Sequence, residues 1–142
     1  MIFGYFGGAV NATDGRTSYH RYPAELATQE INQYTLMPTH ITARFTTEGL
    51  RGATLAAPFG WTKEVPLLEV PVIERSPMDH NYGPGCLLEN ETRLYDLVAD
   101  PAQRVPIEDA GREAAMVAAM QSLMRATDAP AEAFVRLGLD PD

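Results

Sequence analysis

Cysteine, lysine and tryptophan each occur once in the 142 residues, as Cys86, Lys63 and Trp61. A single cysteine excludes an intrachain disulfide and a thiolate-built structural zinc, so the fold must rest on packing. No apolar run approaches the roughly 20 residues that a membrane-spanning helix needs, and no membrane association is expected. Lys plus Arg number 11 against 19 Asp plus Glu, a formal net charge of -8. Such a balance excludes the basic surface on which nucleic acid or an anionic bilayer is bound. The first ten residues are apolar, yet they have no basic flank and contain Gly4, Gly7 and Gly8, which does not suit a secretory leader. The compartment is left open. They read as strand from the start, as expected of a chain cut from something larger.

Apolar residues make up 45% and charged residues 21% of the chain, the composition of a soluble globular protein, and its length predicts a single domain over residues 1–142. Residues 2–12, rich in Phe, Tyr, Val and Gly, and the alternating residues 16–22 predict a β-hairpin. Between them Asp14-Gly15 supplies the positive φ of a tight turn. The glycines of the first strand predict a bulge or a close approach by another backbone. Residues 24–33 suit one or two helical turns, and residues 34–37 and 41–45 read as extended on either side of Pro38. Thr46 or Thr47 caps a short helix that Pro58 ends. Pro66 and Pro71 make residues 65–73 an extended segment lying over a surface rather than a central strand, and residues 74–90 form the longest loop. Residues 92–98 read as a strand closed by Asp100-Pro101. A helix is expected from Pro106 at its first position to Arg125, with Met116, Val117, Met120, Leu123 and Met124 on one face and Glu108 paired with Arg112 on the other. A shorter helix follows over residues 131–137, stopped by Gly138.

Chemistry-bearing residues are few. His20, His40 and His80 lie about twenty residues apart on three segments, which matches no zinc-ligand spacing. His20 reads as an ordinary hairpin residue, whereas His40, behind Pro38, suits a side chain held rigidly toward a cleft. Cys86 sits in a Gly-Pro-Gly-Cys loop with no adjacent base to lower its pKa, the setting of an inert thiol. No catalytic residue and no metal ligand can be assigned, and no cofactor is expected in this chain.

Several motifs, in order, carry a resemblance: Phe3-Gly4-Tyr5-Phe6-Gly7-Gly8, the Val10-Asn11-Ala12-Thr13-Asp14-Gly15-Arg16 turn, Tyr19-His20-Arg21-Tyr22, Tyr34-Thr35-Leu36-Met37-Pro38-Thr39-His40, and Arg93-Leu94-Tyr95-Asp96-Leu97 followed by Asp100-Pro101. The sequence resembles the C-terminal region of a type I sulfatase, the formylglycine-dependent branch of the alkaline phosphatase superfamily. The family's nucleophile derives from a Cys-X-Pro-X-Arg segment. Cys86 is followed by Leu87-Leu88-Glu89-Asn90 and fails that pattern at both fixed positions.

The resemblance implies an α+β fold, an antiparallel sheet of about four strands with a C-terminal helix packed on one face. The formylglycine and calcium of the parent family would lie in a large catalytic domain for which this chain has no room. What it implies for function is the C-terminal portion of an enzyme hydrolysing sulfate esters, inactive by itself, with His40 and His80 rimming the substrate cleft. Its partner would be a sulfatase catalytic domain, in cis or in trans. The alternative is a non-catalytic module pairing with a separate chain. On the first reading an exposed apolar surface that the catalytic domain would cover is expected, with Phe3, Tyr5, Phe6, Phe59 and Trp61 as its candidates, and with it self-association; a compact polar surface would favour the alternative.

Overall fold

The computed structural model describes residues 1–25, 29–37, 44–73 and 91–141. They belong to two compact units, one of Met1–Leu26 with Leu88–Asp142 and one of Ala27–Leu87.

The first unit is α+β: a four-stranded antiparallel sheet with the long C-terminal helix packed on one face. Its strands are β1 (Ile2–Gly4), β2 (Val10–Thr13), β3 (Thr17–Arg21) and, after the excursion into the second unit, a fourth at Arg93–Asp96. The hairpin forms at Asp14-Gly15-Arg16, where Gly15 takes φ +90° and the Asp14 carboxylate accepts from the backbone N–H of Arg16 at 2.8 Å and of Thr17 at 2.7 Å. A short acidic side chain that folds back on its own backbone, beside a residue without a Cβ, closes this turn.

The expected single first strand is instead two. β1 and β2 pair antiparallel, Phe3 opposite Asn11, across a turn in which Gly7 has φ +75° and the Gly8 N–H reaches the Tyr5 carbonyl. Close backbone approach does occur there, since a Cβ on Gly4 would stand 2.5 Å from the Ala9 carbonyl oxygen.

Register puts Ile2, Ala12, Tyr19 and Leu94 in one row across all four strands. Strand alternation sends that row to one face. There it meets Met116, Met120 and Met124, an i, i+4, i+8 stripe of the helix Ala110–Ala126, together with Phe134 and Leu137 of the chain end. The long helix starts four residues later than Pro106 would have it. The Ile107 N–H donates to the Leu94 carbonyl at 2.8 Å, which holds that stretch against the fourth strand. Asp109 is therefore the N-cap, its carboxylate accepting from the Arg112 N–H at 3.0 Å. Arg112 does not pair with Glu108; its guanidinium bonds Asp96 at 2.9 Å and Asp109 at 3.2 Å. The final helix, Ala131–Arg136, ends as expected, with Gly138 at φ +65° and the Leu139 and Gly138 amides returning to the Phe134 and Val135 carbonyls.

The second unit holds a three-stranded sheet that the sequence reading did not contain. Its strands are Asn32–Thr35 (β4), Thr54–Ala56 (β5) and Leu67–Pro71 (β6), with β6 in the middle; the fourth strand of the first sheet is accordingly β7. The prolines do not keep β6 from the centre. Pro66 precedes it. The Val72 N–H donates to Ile31, so Pro71, one residue out of phase, turns its nitrogen to the other flank, ahead of Thr54, where β5 begins. Asn32 and Gln33 are strand rather than helix. Helix α1 (Thr47–Arg51) is capped by Thr46, whose hydroxyl accepts from the Gly49 N–H at 3.1 Å, and it stops at Gly52 rather than running to Pro58. The long helix of the first unit is α2 and the final one α3. The second stretch expected to be extended, residues 41–45, lies outside the described residues except for Arg44 and Phe45, and the loop 74–90 lies wholly outside them.

Candidate functional site

The concave feature with the most chemistry in the first unit is a cleft of about 710 Å³ between the start of β7 and the N-terminus of α2. Glu91 and Arg93 line it from the β7 side, Glu108, Asp109 and Glu113 from the helix side, and Tyr19 from its floor. Acidic groups outnumber the single guanidinium, and the main polar groups are engaged with one another. Arg93 is 3.3 Å from Glu91, and the Tyr19 hydroxyl donates to Glu113 at 3.0 Å while accepting from Arg21 at 2.9 Å. Arg21 also donates to the Leu137 and Gly138 carbonyls, at 2.7 and 3.2 Å. Burial is the main reason that the Tyr19 phenol titrates above its ordinary value. The network ties the chain end to β3. Its carboxylates suit contact with a cationic or hydroxyl-rich group, and no nucleophile and base are paired within it.

The opposite face of the sheet carries Phe3, Asn11, His20 and Arg93 in one row and Thr13, Ser18 and Tyr95 in the next. Here His20, read from sequence as a plain hairpin residue, has a specific setting. Its Nε2 lies 3.0 Å from the Ser18 hydroxyl and 3.0 Å from Oε1 of Gln103, and its ring meets Tyr95 edge-on at 5.3 Å. A serine beside a histidine invites comparison with a nucleophile and its base. The geometry speaks against it, because an amide oxygen only accepts and so requires the proton on Nε2, the nitrogen that would have to take the serine's proton. Ser18 is moreover buried. Gln103 reaches the ring from a left-handed backbone, φ 53°, which no residue pattern announces.

His40 and His80, the expected cleft-rim residues, lie outside the described residues, as does Cys86. Among the described residues no group of three or more His, Cys, Asp or Glu is placed to hold a metal ion. Of the expected exposed aromatics, Phe3, Tyr5 and Trp61 are exposed, Trp61 most at 63%, while Phe6 and Phe59 are half-buried.

Around the turns of the first unit three carboxyls sit below the usual carboxylate range. The Arg112 guanidinium lowers Asp96, helped by the N–H groups of Ala99 and Val98; the N–H groups of Arg16 and Thr17 lower Asp14; chiefly the Val105 N–H lowers Asp100. A carboxyl depressed on folding contributes stability above its unfolded pKa and loses it as the pH falls through the folded value. The melting temperature should therefore hold from neutral pH down to about 4 and fall below that. Asp96→Asn should melt lower at neutral pH and show a shallower acid fall. An acid arm as steep as that of the parent chain would show that the Asp96–Arg112 contact does not carry it.

Comparison with family models, with curated proteins and with solved structures finds no match to this chain.

Proposed function

We propose that the chain is the C-terminal portion of a sulfatase-like enzyme, supplying structure to a catalytic domain that brings the nucleophile and metal site. One observation carries this reading. The Asp14-Gly15-Arg16 turn and the Leu94-Tyr95-Asp96-Leu97 motif, far apart in sequence, meet in one sheet: Thr17 pairs with Asp96, and the Leu97 N–H donates to the Arg16 carbonyl at 2.8 Å. Helix α2 then backs that sheet. These are two of the motifs that carry the resemblance, and their pairing in one layer supports reading them together. Asp96 links them further, since its carboxylate caps the turn after β7 and holds Arg112 of α2. The exposure of Phe3 and Tyr5 at the β1 edge of the sheet supports the same reading, since it is apolar surface that a catalytic domain would cover.

The test is mixing. A sulfatase catalytic domain deleted of its own C-terminal region should co-elute with this chain and regain hydrolysis of an aryl sulfate, while the chain alone gives none. Turnover by the chain alone, abolished by a substitution within it, would overturn the assignment. Failure both to co-elute and to restore turnover would leave the interaction module as the better account.

A further inference from the structure

The second unit contains an aromatic arrangement that packing does not require. Trp61, the only tryptophan, lies in the short 3-10 turn Gly60–Thr62 and is 63% exposed. Phe59 stacks against it with ring centroids 5.7 Å apart and planes 16° from parallel, and Tyr34 of β4 meets Phe59 edge-on at 5.2 Å. The indole is thus backed on one face by another ring, and its exposure leaves the other face bare.

The turn that holds it is fixed. Thr62 is buried, its hydroxyl and N–H both bond the Phe59 carbonyl, at 2.9 and 3.0 Å, and the Val65 N–H closes on the Thr62 carbonyl. Two non-glycine residues in succession, Lys63 and Glu64, take positive φ of 53° and 65°. Such conformations cost energy and persist only where the surroundings impose them. Among the described residues, the indole N–H, the Lys63 ammonium and the Glu64 carboxylate have no partner. A pre-positioned flat apolar surface with uncommitted polar groups in the same turn can take a matching ligand without first being ordered.

We propose that Trp61 is the platform of a binding site for the pyranose ring of a neutral saccharide. A pyranose has one face of axial C–H bonds, which packs against the electron-rich face of an indole, and an equator of hydroxyls that both donate and accept. The turn offers donors in the indole N–H and Lys63 and an acceptor in Glu64. Charge selects within saccharides. Lys63 and Glu64 cancel, and the chain's net charge of -8 repels a polyanionic sugar. Ring geometry selects against a proline-rich peptide, which docks between splayed aromatics, whereas Phe59 and Trp61 are stacked and leave no slot between them. The inference does not depend on the sulfatase reading.

The full chain should be retarded in native gels containing at least one neutral polysaccharide from β-1,3-glucan, mannan, xylan and hydroxyethylcellulose. The same polymer should shift the emission of the lone tryptophan in a saturable way. Trp61→Ala, with an unchanged circular dichroism spectrum, should weaken retardation at least about tenfold, and Trp61→Phe should keep part of it. Lack of retardation and of emission shift with all four polymers overturns the proposal. So does equal retardation of Trp61→Ala, or a response confined to dextran sulfate or to a decaproline peptide.

Discussion

Met120→Ala should lower the stability of the first unit by about 2–5 kcal/mol, the range for removing a fully buried methionine side chain from a packed core. Met120 is 0% exposed and lies at the middle of the stripe that α2 presents to Ala12, Tyr19 and Leu94 of the sheet. Its neighbours Met116 and Met124 are on the same helix face, one turn away on either side, and cannot close over the gap without leaving their own places. Urea unfolding followed by the helix signal is the measurement, because α2 and α3 both lie in this unit. Ser122→Ala, at an exposed position of the same helix, serves as the control and should change little. Equal unfolding midpoints for the two variants would mean that the sheet-to-helix interface is not what holds the unit together.

The elements legible in the sequence were those announced by local chemistry. Asp14-Gly15 announces a turn because glycine supplies the φ and aspartate the local hydrogen bonds, and both are used. Thr46 or Thr47 announces α1 by the same logic, and Thr46 is the one that caps it; Pro130 with Gly138 brackets α3. The methionine spacing gave the buried face of α2 correctly because helical periodicity survives whatever the partner is.

What was not legible depends on distant residues. Pro106 suits a first helical position, but the bond from Ile107 to Leu94 delays the helix to Ala110, and nothing near Pro106 shows it. The second sheet was hidden because β4, β5 and β6 are three to five residues long, and proline in β6 argues against a central strand unless the side on which its nitrogen falls is known. The polar contact of His20 with Gln103 spans 83 positions and depends on a left-handed residue without glycine's freedom. The aromatic platform was half-legible: Phe59 and Trp61 were expected on the surface, but their stacking and the edge contact with Tyr34 follow only from the fold.

Gly4, the last residue of β1, and Gly8, in the turn that follows, should respond differently to the same substitution. A Cβ on Gly4 would stand 2.5 Å from the carbonyl oxygen of Ala9, and one on Gly8 would stand 2.2 Å from the ring of Tyr5. By distance alone Gly8 looks the more crowded. The obstructing atoms reverse the order. Ala9 is buried backbone beside the β1–β2 pairing, fixed by its neighbour Val10, which is in register with Gly4. At Gly8 the obstacle is the ring end of the exposed Tyr5 side chain rather than backbone. Gly4→Ala should therefore cost about 1–3 kcal/mol, the usual range for forcing an extra carbon into a packed place, and should loosen β1 at the sheet edge. Gly8→Ala should cost well under that, with the Tyr5 ring displaced. Hydrogen exchange of the paired β1 and β2 amides, with the melting temperature, distinguishes them: protection should fall in Gly4→Ala and largely persist in Gly8→Ala. A larger loss from Gly8→Ala would show that the Tyr5 ring, rather than the Ala9 backbone, is what fixes this turn.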